Sequence, residues 1–232
     1  MKYIVIGLGS FGSSLAVKLT AAGNEVMGVD ISVNRIETLK EKITHAVSID
    51  CTDPVMAKEL PIKDTDVVVV CIGEDKGANI MATAIMKQLK AKKVISRAVS
   101  ETHQTILETM GVDEIINPEE EAAERWAEKL SIKGVLESFH LTGAYNIVEI
   151  NVPKPFVGKS LEEVDLVEKF NIIALTTFLK RETTNFLGYS KESIVVQGIA
   201  TKQTVLKEGE ILVIYGHTRD IKRLLEETGA VS

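Results

Sequence analysis

Lys2-Tyr3-Ile4-Val5-Ile6-Gly7-Leu8-Gly9-Ser10-Phe11-Gly12 opens this 232-residue chain and decides how the rest of it is read. A short apolar run enters a three-glycine turn and leaves it as an amphipathic helix over about 10–22. In that strand–turn–helix setting each glycine has its own task. Gly7 permits the tight turn, Gly9 lets the backbone approach a pyrophosphate, and Gly12 lets the helix pack close to the sheet. The helix start then presents free N–H groups and a positive dipole to phosphate oxygens. Asp30 closes the second strand 18 residues after Gly12, near the spacing of an acid that accepts hydrogen bonds from ribose hydroxyls. A carboxylate there repels a 2′-phosphate, so NAD(H) or an adenine nucleotide such as ADP or ATP is expected rather than NADP. Arg35, five residues on, is the only nearby hint of NADP and reads as a solvated helix residue.

Working outward, strands are expected at 2–6, 25–29, 45–49, 66–72, 93–97 and 113–116. Helices are expected at about 10–22, 32–42, 53–60, 75–90 and 101–110. Val67-Val68-Val69-Val70 is apolar on both faces, as in a central parallel strand, and Ile80, Met81, Ala84, Ile85 and Leu89 recur at helical spacing. Six strands alternating with helices predict a Rossmann-like, doubly wound parallel α/β sheet with right-handed crossovers. Further candidate site residues then fall at strand ends. Asp50-Cys51-Thr52 ends the third strand, where an adenine ring would rest; Thr52 or Asp53 also suits a helix cap ahead of Pro54. Cys71-Ile72-Gly73 ends the fourth strand and Arg97 the fifth, where Arg97 suits either a phosphate or a salt bridge.

After Asn117-Pro118, Glu119-Glu120-Glu121 suits the positive end of a helix dipole. The stripe Ala122, Ala123, Trp126, Ala127 and Leu130 fits packing on the chain's own sheet or on another subunit. The boundary between domains is expected at 132–144, giving a nucleotide-binding domain at 1–134 and a smaller α+β domain at 145–232. In the latter, strands are expected at 146–152, 172–178, 193–197 and 210–215, with helices at 161–170 and 218–228.

Composition narrows the function. Apolar residues make up 45% of the chain and charged ones 26%, which excludes disorder, and the 5% aromatic content suits a helix-covered sheet. The net charge is −6; residues 1–140 carry 16 basic against 21 acidic groups and residues 141–232 carry 11 against 12. Neither half has the basic surplus that binds a phosphate backbone, so no nucleic-acid partner is expected. Val67–Ile72 falls far short of the roughly 18–20 apolar residues of a membrane span, no signal segment is expected, and the reading is a soluble, cytoplasmic protein. Cys51 and Cys71 are too few for a disulfide framework or zinc site and read as packing residues. A dehydrogenase needs an acid or base beside its nicotinamide, but His45, His103, His140 and His217 are scattered away from the strand ends that would face it. The chain therefore reads as a nucleotide binder without chemistry. A stand-alone nucleotide sensor and a small NAD-dependent oxidoreductase are the rival readings.

The opening motif, Val29-Asp30, Asp50-Cys51-Thr52 and Gly111-Val112-Asp113 with Ile116-Asn117-Pro118-Glu119 resemble the RCK (regulator of potassium conductance) family. Within it they are most similar to the cytosolic regulatory subunits of Trk/Ktr potassium uptake systems. Phe156-Val157-Gly158-Lys159-Ser160-Leu161, Phe170-Asn171-Ile172 and Glu208–Gly216 are similar to that family's C-terminal domain, so the resemblance spans the chain in order. It implies a non-enzymatic gating subunit, peripheral to the inner face of the membrane through a potassium-translocating partner, forming homodimers that assemble into an octameric ring. It further implies that NAD(H), ADP, ATP or AMP lies along Gly7, Leu8, Gly9, Ser10, Phe11 and Gly12, with Asp30 and Ile31 at the ribose. Asp50, Cys51 and Thr52 would meet the adenine, and Ile72, Gly73 and Arg97 would complete the cleft. Glu119 matches a family glutamate that helps hold a divalent cation. Many Ktr-type members carry arginine in place of Ser10, so the resemblance does not single out ATP. Val167 stands where some relatives use arginine for a cyclic dinucleotide, and that ligand is not expected.

Overall fold

The computed structural model describes residues 1–184 and 190–230. The chain divides into two compact units, Met1–Glu121 and Ala122–Ser232.

The first unit is a six-stranded parallel sheet. Its strands are β1 (Lys2–Ile6), β2 (Glu25–Asp30), β3 (His45–Ser48), β4 (Val67–Val70), β5 (Val94–Arg97) and β6 (Glu114–Ile116). They lie in the order β3-β2-β1-β4-β5-β6, every neighbouring pair parallel. The chain starts in the middle and winds outward twice, so the direction of winding reverses between β1 and β4. Ligands of open α/β sheets bind in the crevice outside such a reversal. The crossovers are α1 (Ser10–Ala21), α2 (Val33–Leu39), α3 (Pro54–Ala57), α4 (Lys76–Gln88) and α5 (Glu101–Thr109), with a 3₁₀ turn at Ile62–Asp64. All four valines of β4 are buried, because helices cover both faces. Burying each contributes about 1.5–3 kcal/mol relative to exposure. Ile4, Ile6, Val68, Val70 and Met86 build the core on one side, and Val5, Val67, Val69 and Ala16 on the other. The expected helix over 53–60 is only one turn, capped by Asp53, whose Oδ1 accepts the Val55 N–H at 2.7 Å ahead of Pro54.

A helix, α6 (Pro118–Ser131), begins in the first unit and ends in the second. Its apolar stripe does not pack on the sheet: Trp126 is 50% and Leu130 76% exposed.

The second unit holds an antiparallel sheet ordered β10-β9-β11-β8-β7. Its strands are β7 (Val135–Thr142), β8 (Tyr145–Asn151), β9 (Ile173–Thr184), β10 (Ser190–Ile199) and β11 (Ile211–His217). Residues 135–142, expected to fall in a boundary segment, are instead an edge strand paired with β8. Their mixed polarity is that of a strand buried on one face near its start and exposed from Phe139 onward. The helix expected at 161–170 is two, α7 (Leu161–Val164) and α8 (Leu166–Phe170), because Asp165 adopts a left-handed φ of 54° that no helix can continue through. Ser160 and Glu163 close a reciprocal capping box at the start of α7. The core joins Val148, Ile150, Ile172, Leu206, Leu212 and Ile214 to Ile221, Leu224 and Leu225 of α9 (Thr218–Glu227).

Candidate nucleotide cleft

The glycine turn is built by contacts that leave no room for side chains at Gly7 and Gly12. Gly7 has φ +90° and donates its N–H to Val29 O at 2.8 Å, tying the turn to the end of β2. A Cβ on Gly12 would stand 2.0 Å from Gly7 O and 3.1 Å from the Cβ of Cys71, so α1 approaches β1 and β4 at a distance only glycine allows. Gly9 is the N-cap of α1 and supplies no side-chain cap, while the space beside its Cα is open. The first-turn N–H donors of α1 are therefore left without a capping side chain. Ser10 is exposed beside them, Phe11 half-buried, and Leu8 turns its side chain into the core.

Asp30 is the most constrained charged group here. Its side chain is 3% exposed. Oδ2 accepts the Leu8 N–H at 2.7 Å, Oδ1 accepts the Ser32 N–H at 2.8 Å, and Arg35 Nη1 donates to Oδ2 at 3.3 Å. Arg35, read from the sequence as a solvated helix residue, is 40% exposed on α2 but is also ion-paired to Asp30. Its Nη2 reaches on to Glu74 Oε1 at 3.1 Å, in the loop after β4. Hydrogen bonding to Asp30 raises the guanidinium pKa above its ordinary value, with the charges of Asp30 and Glu74 adding to it. Ile31, next in line, is 72% exposed at the same edge.

Asp50 folds onto its own loop, its Oδ1 accepting from Thr52 N at 2.9 Å and Thr52 Oγ1 at 2.7 Å. These bonds hold its pKa below the usual carboxylate range. Cys51 and Cys71 are free and buried, and burial pushes both thiols up to about 12. Neither is a nucleophile at neutral pH.

At the other end of the crevice Arg97 lies 5.9 Å from the Phe11 ring centroid and against Gly73. It pairs with Glu119, at the start of α6, and its Nε is buried without a partner among the described residues. Glu119, expected at a cation, is thus held by arginine; among the described residues no three His, Cys, Asp or Glu side chains are grouped to hold a metal.

One contributor was missed in the sequence reading. Asn79 of α4 is fully buried and donates its Nδ2 to Ile72 O at 2.8 Å and Arg97 O at 3.2 Å, joining the ends of β4 and β5. Its Oδ1 accepts from Ser96 Oγ at 3.1 Å, and Ser96 bonds Thr83. Asn79 and Thr83 on the inner face of a helix whose other buried residues are apolar were the available clue.

A family model described as the TrkA-N domain matches residues 3–118. Ktr system potassium uptake protein C of Bacillus subtilis (strain 168) is 33% identical over 224 residues, covering 96% of this chain and 95% of that protein. Among solved structures, the GsuK RCK domain superposes with a TM-score of 0.64 at 16% identity, over 100% of this chain and 48% of that one. The NAD(P)-binding domain of an exopolyphosphatase-related protein from Archaeoglobus fulgidus superposes with a TM-score of 0.50 at 27% identity, over 56% of this chain and 96% of that one. With its first half matched by the domain model and nearly its whole length by a Ktr protein, the chain belongs to the TrkA-N family, alongside the Ktr potassium uptake proteins.

Proposed function

We propose that this chain is a non-enzymatic, nucleotide-sensing regulatory subunit of a potassium uptake system. The observation that carries the reading is the cradle itself: an uncapped helix start and a buried acid, held by backbone contacts, at the point where the sheet reverses its winding. Gly7, Gly9, Ser10, Phe11 and Gly12 take the phosphates, Asp30 and Ile31 the ribose, and Asp50, Cys51 and Thr52 the adenine edge of NAD(H), ADP, ATP or AMP. Ile72, Gly73 and Arg97 close the far side. A divalent cation at Glu119 would require that carboxylate to exchange Arg97 for the metal.

The near full-length likeness to a Ktr potassium uptake protein supports a potassium-translocating membrane partner of Trk or Ktr type. Among the described residues no helix is long and apolar enough to cross a membrane. In this reading, attachment to the cytoplasmic face runs through that partner. The exposed Trp126 and Leu130 stripe supports homodimers, which assemble into an octameric ring. Nucleotide exchange in the domain at 1–134 then alters the pairing of subunits through α6 and the domain at 145–232. Such coupling between sites is commonly about 1–3 kcal/mol.

The test is potassium flux through the reconstituted partner with ATP, ADP or NADH. Flux should differ between nucleotides; identical flux under all three removes the switching claim.

A further inference from the structure

The ribose end of the cleft contains a cation with an exchangeable partner. Because β2 and β4 lie on either side of β1, an arginine bonded to Asp30 and to Glu74 lies across the carboxyl edge of β1, where the crevice opens. Its two partners differ. Asp30 is 3% exposed and already receives two backbone N–H groups, so that pairing is fixed. Glu74 is 83% exposed, and an ion pair so open to water holds its partner weakly. Nη2 of Arg35 is therefore available to a better anion.

An acid at the end of β2 ordinarily excludes a 2′-phosphate by repulsion, whereas an arginine nearby accommodates one. Here both groups are present and bonded to each other, so the arginine and two N–H donors offset the carboxylate charge that would repel the phosphate. A planar guanidinium matches phosphate oxygens as well as it matches a carboxylate, and a 2′-phosphate carries more charge than one water-exposed glutamate. Resting on the nucleotide-binding reading above, we propose that Arg35 is a specificity-determining residue that admits 2′-phosphorylated adenine dinucleotides by exchanging Glu74 for the phosphate. The cleft then takes NADP(H) as well as NAD(H).

Calorimetry on the 232-residue chain with NADH, NADPH and ADP tests this. Wild type should bind NADPH within about tenfold of NADH, which is a difference of only about 1.4 kcal/mol. Arg35→Ala should weaken NADPH by about tenfold or more, the size of one lost charge-assisted hydrogen bond, while NADH changes less than about threefold. Glu74→Gln, on an exposed side chain, should act in the opposite direction and tighten NADPH. If ADP and NADH bind but NADPH does not, or if Arg35→Ala weakens both dinucleotides equally, the inference fails and the nucleotide reading stands. If none of the three binds, the nucleotide reading itself fails and takes this one with it.

Discussion

The two sheets hold their shape by different means. In the first unit the strands are parallel and β4 is buried at every position. In the second they are antiparallel, and β8 alternates buried with partly or fully exposed residues. Beyond Ser193, β10 is exposed through Ile199, with Ile194, Val196 and Ile199 all open. A sheet covered on both faces has no freedom at its ligand edge, where backbone meets backbone. A sheet buried on one face tolerates change along its open side and edges. The lesson is that the candidate cleft depends on main-chain approach, while the second unit depends on side-chain packing.

Four measurements would break or sharpen that contrast. The largest effect is expected from Gly12→Ala. Its Cβ meets a carbonyl oxygen that cannot rotate away, so overpacking costs about 1–3 kcal/mol or more and nucleotide binding is lost. The counterpart Gly216→Ala meets Ile172 Cγ1 at 2.9 Å, a side-chain atom, and should cost less than about 1.5 kcal/mol. Equal losses in chemical denaturation would erase the distinction.

Next comes Asn79→Leu, which removes the side-chain donor of two strand-end carbonyls and leaves Ser96 with Thr83 alone. Buried unpaired groups cost about 1–3 kcal/mol, and the ends of β4 and β5 should shift enough to weaken ADP measurably. Unchanged ADP affinity alongside lost stability would reduce Asn79 to a structural residue.

Third is a pH effect centred on His103. The ring is 2% exposed, both nitrogens lack partners among the described residues, and burial, then the charge of Lys76, lowers its pKa. The unfolded chain, with a histidine pKa of about 6.5, takes up the proton first, so stability falls as pH drops below that value toward the depressed folded one. Thermal melts of His103→Leu should show a shallower decline between pH 7 and 5 than wild type.

The smallest effect belongs to Asp165→Gly. It relieves a left-handed non-glycine residue and should raise stability by up to about 1 kcal/mol without touching nucleotide affinity. A destabilised variant would mean that the aspartate side chain supports the break between α7 and α8.

The parallel unit was open to reading because its signals are local and redundant. Glycine spacing, an acid 18 residues on and runs of β-branched residues all agree with one topology. The antiparallel unit was less open. β7 mixes polar and apolar residues because only part of one face is buried, and the break at Asp165 leaves no mark stronger than one aspartate amid helix formers.

Residue pattern alone determined the doubly wound sheet, the glycine turn and the placing of Asp30, because burial on both faces and close backbone approach restrict which residues can stand there. Tertiary structure alone decided that Arg35 joins Asp30 to Glu74, that Arg97 takes Glu119, and that Asn79 ties two strand ends together. Each of these partners lies 18 to 39 residues away in sequence, apart from the Arg35–Asp30 pair and Ile72. Which polar groups meet is fixed by how strands are ordered in space, and a carboxylate or amide carries no periodicity that would announce its partner.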